Sequence, residues 1–165
     1  ARSAVVHTDD LAWHEPFFAW GHLLRDEILV TLHRGEGVRF QPPAWGLHGR
    51  EGVIEVAAEA DLVVIEGVGA SQREFEHFVD ASIWVQSDFQ EAERRGIARD
   101  MAEGVNGDRE QTIAFWHEWM AHEVRFLAEQ RPWERACLVV AGSPTIDLDE
   151  GQFAVAPAPS NNPWL

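Results

Sequence analysis

Two carboxylates carry the first chemical argument. Asp9 follows a short apolar stretch, Ser3 to Thr8, and Glu66 closes another, Asp61-Leu62-Val63-Val64-Ile65-Glu66-Gly67. If both stretches are strands, Asp9, Asp10 and Glu66 stand at their carboxyl ends. Two adjacent carboxylates can hold a hard cation such as magnesium, directly or through water. One of them can instead accept the proton of a substrate hydroxyl. The plainer account is that Asp9 caps a turn and Glu66 pairs with an arginine, and spacing alone does not separate the two.

A second group is Glu93-Arg94-Arg95-Gly96-Ile97-Ala98-Arg99-Asp100. Arg95 and Arg99 are four apart and share a helical face. Guanidinium donors match phosphate oxygens in bidentate geometry, so such a face can neutralise charge on a transferring phosphoryl group. A solvated face laced with Glu–Arg pairs explains the same residues, and for a generic chain it is the favoured account. The sequence contains no lysine, so every fixed side-chain cation is an arginine.

The histidines invite a metal reading. His117-Glu118 and His122-Glu123 resemble a zinc-protease motif, but the histidines are five apart, roughly 140° around a helix. That motif needs them at i and i+4, so it is rejected. There is no G-x-S-x-G elbow, and Gly67-Val68-Gly69 is too short for a dinucleotide fingerprint. Of eight tryptophans, Trp13, Trp20 and Trp45 fall in segments expected near the site. They can stack on a flat ring, with core packing an equal account for each taken singly. Trp116 and Trp119 are expected to pack a helix against a sheet.

These side chains need elements to hold them. Phe17 to Arg34 has apolar residues at helical spacing, with Gly35 as its stop. Val38 to Val56 is broken by prolines and glycines, which predicts two short strands and a loop reaching over a site. The run ending at Glu66 suits a parallel strand covered on both faces. Ser71 is expected to cap a short helix through Phe78, with Glu74 completing a capping box. Further elements are a strand over 81–86, helices over 89–103 and 109–129, a stop at Pro132, and a strand over 136–141. An edge strand is expected around 153–155. Strands alternating with helices imply an α/β fold with a mostly parallel sheet in three layers, and ligands at the carboxyl ends of its strands.

Composition narrows the class. The chain has 165 residues, which suits one domain over 1–165, and 45% are hydrophobic. No apolar run reaches the ~20 residues of a membrane span, so no membrane role is expected. No leader pattern is visible at the amino terminus. One cysteine excludes a disulfide framework and points to the cytoplasm. Cys137 reads as a buried core thiol. A formal net charge of -15 disfavours nucleic acid as a partner. A small-molecule substrate fits better, and a homo-oligomer is compatible with the same reading.

The ordered set of segments resembles the uridine kinase family of P-loop kinases, with its nucleoside and nicotinamide riboside kinase relatives. The residues that carry the resemblance are Asp9-Asp10, His14-Glu15-Pro16-Phe17-Phe18-Ala19-Trp20, Arg34-Gly35-Glu36-Gly37-Val38, Pro42-Pro43-Ala44-Trp45 with His48-Gly49-Arg50, Ile65-Glu66-Gly67-Val68, Arg94-Arg95-Gly96-Ile97-Ala98-Arg99-Asp100, and Pro132-Trp133-Glu134-Arg135-Ala136. They span about Val5 to Gly142. The resemblance implies a P-loop NTPase-type fold with a helical lid over about 88–108, and ATP-dependent phosphoryl transfer to a small-molecule hydroxyl, most simply that of a nucleoside.

It also implies roles. Asp9 matches the family's base, which touches the magnesium shell, and Glu66 matches the acid of the Walker B-like strand. Arg94, Arg95 and Arg99 match the lid arginines that hold ATP, with Arg95 and Arg99 assisting transfer. Asp10, Trp13, Trp45, His48 and Arg50 lie on the nucleoside side. Three departures stand out. Ala19 replaces an Asp that holds the ribose hydroxyls, and Val105-Asn106-Gly107 replaces an Arg-Gly-Arg after the lid. No G-x-x-x-x-G-K-[ST] phosphate loop is present, and the expected reason is a segment upstream of Ala1. Two other readings stay open: a catalytically inert nucleotide-fold module, and a kinase for a non-nucleoside acceptor. The glycines of 102–108 suggest a hinge.

Overall fold

A computed structural model describes residues 2–155. It is mixed α/β, built as two compact units, one ending at Asp80 and one starting at Ala81. No helix among the described residues is long and apolar enough to cross a membrane.

In the first unit, strand β1 (Ser3–His7) runs parallel to β4 (Leu62–Glu66), in a register that sets His7 opposite Glu66. Between them come α1 (Thr8–Ala12), a longer helix, β2 (Val38–Phe40), α3 (Pro43–Leu47) and β3 (Ile54–Val56). β2 and β3 pair antiparallel. The two strands expected over 38–56 are therefore present, and α3 adds a short helix between them.

The longer helix, α2, is π-helical over Leu23–Leu29 and α-helical over Val30–His33. Leu23 and Leu24 are buried, and so are Ile28 and Leu29 five residues on. A five-residue apolar repeat suits i→i+5 bonding, and the Val30 N–H indeed donates to the Arg25 carbonyl. Phe17 and Phe18 were expected in this helix but lie in turns before it, because Phe18 has φ 60° and interrupts a right-handed path. Ser71 does not cap the next turn. Arg73–Phe78 is a 3-10 helix preceded by Gln72, with no side-chain cap. Glu74 instead accepts from Arg25 at 2.6 Å.

Val6, Leu11, Trp20, Leu24, Ile28, Val56 and Phe75 form the core of this unit. Each large side chain so buried contributes about 1.5–3 kcal/mol. The expectation that β4 is covered on both faces is corrected. Leu62 and Val64, with Val5 of β1, are exposed, so alternate residues of the pair face outward.

In the second unit, β5 (Ile83–Gln86) runs parallel to β6 (Leu138–Ala141). α4 (Phe89–Glu103) and α5 (Arg109–Gln130) lie between them in sequence. Asp88 caps α4 by accepting from the Glu91 N–H. Asp108 and Gln111 form a reciprocal capping box on α5. Past Pro132 the chain reaches β6, and Val140 bridges to Val155, where the edge strand was expected.

Two expectations fail here. Trp116 packs on α4, not on a sheet, and Trp119 meets it edge-on at 5.4 Å. Cys137 is exposed, since it precedes β6 at the end of the pair, where little covers it.

Glu123 on α5 is half-buried, and burial pushes its carboxyl up to about 7. The folded state then holds this proton more tightly than the unfolded chain, whose ordinary value is 4.5. Stability from this group is fullest below 4.5 and declines as pH rises towards 7. Glu123→Gln is expected to flatten that decline and raise the urea midpoint at pH 8. Equal slopes for the two proteins would show the carboxylate to be hydrated.

Candidate functional site

The carboxyl end of β1 gathers the chemistry of the first unit. Thr8, 1% exposed, begins α1 and donates its hydroxyl to the Val68 carbonyl at 3.2 Å. A Cβ on Gly67 would stand 2.1 Å from that hydroxyl, and Gly67 has φ 114°, so only glycine lets the end of β4 approach α1 this closely.

Asp10, in the first turn of α1, is held twice. Arg50 Nη2 donates to its carboxylate at 2.5 Å, and the Trp45 indole N–H donates to its carbonyl at 2.8 Å. The Arg50 guanidinium lies over the Trp45 ring, 3.7 Å from its centroid, and 5.5 Å from that of Trp13. Gly49, at φ 73°, turns the chain so that the Arg50 N–H reaches the Trp45 carbonyl at 2.8 Å. Trp45 is buried, which fixes the platform, while His48 is exposed.

Trp13 meets His48 edge-on at 5.9 Å. All five residues expected on the nucleoside side (Asp10, Trp13, Trp45, His48 and Arg50) therefore meet in one cluster. Trp20, also expected near the site, is a core residue, 2% exposed. Ala19 is exposed and offers no side-chain acceptor.

Sequence reasoning missed two members. His14 stacks face to face on His48, with centroids 3.8 Å apart and planes 7° from parallel. No spacing rule joins positions 34 residues apart, so nothing in the sequence signalled this. His7 Nδ1 contacts the Glu66 carboxylate. Here a signal existed: pairing the two strands end to end sets these residues opposite. The bond to Glu66 raises the His7 pKa above its ordinary 6.5, and the charges of Glu66, Asp10 and Asp9 add to the effect.

Glu66 thus takes a histidine partner where an arginine was the alternative. Asp9 is exposed in the first turn of α1, without acting as its N-cap. Among the described residues, no group of three or more His, Cys, Asp and Glu side chains is arranged to hold a metal ion. Asp9 and Glu66 each bring carboxylate oxygens close to the carboxyl ends of β1 and β4, with Glu66 also bound to His7. That suits magnesium, which usually takes one or two protein carboxylates and completes its shell with water and phosphate.

In the second unit the three arginines already have partners. Arg94 makes two bonds to Glu91, and Arg95 meets Glu91 at 3.3 Å and Ser143 at 2.9 Å. Arg99 bonds Asp100 at 2.9 Å. Asp100 is 4% exposed and also accepts from Asn106 and the Trp116 indole. Of the segment 102–108, Ala102 and Glu103 end α4 and 104–108 form the turn to α5, with Gly104, Asn106 and Gly107 at positive φ. His117 pairs with Glu93 at 3.0 Å. In comparisons with known proteins, no family model and no curated protein sequence matches the chain.

Proposed function

We propose that this chain is the acceptor- and lid-bearing part of an ATP-dependent small-molecule kinase of the uridine kinase type, with a P-loop NTPase-type architecture. The observation that carries the reading is the cluster at the end of β1. Trp45, Arg50 and Asp10 are locked together, and Trp13 and His48 present ring surface beside them. Ring surface next to a charged pair suits a ligand with one flat and one polar end, as a nucleoside has.

In this reading Asp9 accepts the proton of the acceptor hydroxyl. Asp9 and Glu66 would hold magnesium, which offsets charge on the phosphates when bound. Arg94, Arg95 and Arg99 steady ATP, each exchanging a carboxylate for phosphate oxygens. Transfer also needs a phosphate-binding loop, which these residues do not contain.

Uridine binding followed by calorimetry tests the acceptor side directly. Saturable binding is expected, weakened about tenfold or more by His48→Ala, the scale of one lost base–aromatic stack. Failure of uridine, cytidine and adenosine alike to bind would remove the nucleoside reading. A second reading, a catalytically inert binding module, is favoured by the carboxylate pairing of all three arginines. It predicts ligand binding without phosphoryl transfer in the full-length protein.

A further inference from the structure

His14 stands at a position its backbone does not favour. The Glu15 N–H donates to the Ala12 carbonyl at 2.9 Å, closing a four-residue turn around Trp13 and His14. Trp13 has φ -60° and ψ 117°, and His14 has φ 61°. That is the pattern of a type II turn, whose third residue needs positive φ and is ordinarily glycine or asparagine. A histidine there costs conformational energy, which some other contact must offset. The contacts present are the stack on His48 and an edge-on meeting with the Trp13 ring at 4.4 Å. Both imidazoles are exposed, so this stack hides little apolar surface and can be exchanged at the protein surface.

We infer that the His14 ring is a stand-in for the planar ring of the ligand, and that the ligand displaces it from His48. This rests on the nucleoside reading above and deepens it. The 3.8 Å separation and 7° tilt are those of a stacked base, so a heterocycle arriving on this face of His48 must first move His14 away. His14 therefore sets a threshold: a flat aromatic ring can take its place, and a ring-free polyol cannot. The residue acts on selectivity for the base-bearing class of acceptor and touches no reacting atom.

The test uses two substitutions at one position. His14→Asn suits the positive φ and removes the ring, so the turn is kept. His14→Phe keeps a ring that stacks with no polar edge to hydrate. Uridine and plain ribose are titrated into wild-type, His14→Asn and His14→Phe proteins by calorimetry. Removing one aromatic competitor should tighten uridine binding roughly three- to tenfold, the worth of a stacked pair. His14→Phe should weaken it, and ribose should not respond to either change.

If His14 instead clamps the ligand, His14→Asn weakens uridine binding and the displacement is overturned, while wild-type binding keeps the nucleoside reading. Unchanged affinity in both variants overturns it equally. If no protein binds uridine, both readings fall together. In the ligand-free protein, a nuclear Overhauser contact between the two imidazoles should vanish on saturation with uridine. Its persistence at saturation would also overturn the exchange.

Discussion

Asp9→Ala is expected to lower phosphoryl transfer to uridine by about 10²–10⁴-fold in the full-length protein, the range for loss of a general base. The same change should shift stability by about 0.5 kcal/mol or less, as for other exposed positions. The asymmetry comes from placement. Asp9 is exposed in α1, whereas the Asp10 carboxylate next to it is part-buried and bound by Arg50. Asp10→Ala should instead cost stability, because it frees the Arg50 guanidinium that lies over Trp45, while the Trp45 bond to the main-chain carbonyl of residue 10 is kept. Initial rates with labelled ATP, read beside urea midpoints for both variants, separate the two roles. An Asp9→Ala protein with near wild-type turnover would remove Asp9 as the base.

The second large effect concerns Gly96 in the middle of α4. Glycine inside an exposed helix is ordinarily a weakness, and replacing it by alanine stabilises by about 0.5–1 kcal/mol. Here the sign should reverse. A Cβ at Gly96 would stand 2.0 Å from one Trp116 ring atom and 2.1 Å from a second. The ring cannot simply swing aside, because its indole N–H is bonded to Asp100 at 2.8 Å. Asp100 is buried and also ties down Arg99 and Asn106.

Gly96→Ala must either distort the α4–α5 packing or break the Trp116–Asp100 bond. Overpacking costs about 1–3 kcal/mol and a buried acceptor losing a partner a similar amount; set against the helix gain, either leaves a net loss of about 1–2 kcal/mol. Thermal melts of Gly96→Ala and of Gly96→Ala with Trp116→Leu check this. The double variant should recover part of the loss that the single one shows. A stabilised single variant would mean that the two helices do not pack as described.

Much of the local structure was legible because its causes are local. The helices expected over 89–103 and 109–129 formed over Phe89–Glu103 and Arg109–Gln130, and the structure adds an Asp at the N-cap of each. The β-branched run before Glu66 became a parallel strand, and the broken segment over 38–56 became a hairpin. Asp10, Trp13, Trp45, His48 and Arg50 come from two separate segments and meet in one cluster. Where local signals misled, a neighbour overrode them. Trp116 found Gly96 where the sequence suggested a sheet, and Glu74 took Arg25 in place of a cap.

What the sequence by itself determined is the set of elements, the acids at the strand ends and the cations available, since chain-local propensity and side-chain chemistry fix these. What only the tertiary structure decided is pairing. His7 meets Glu66 across a strand register, His14 covers His48 from 34 residues away, and each arginine of α4 is already committed to a partner. Such contacts depend on distances through space that no period along the chain encodes. They decide whether a carboxylate, a ring or a guanidinium is available to a ligand or must first be released.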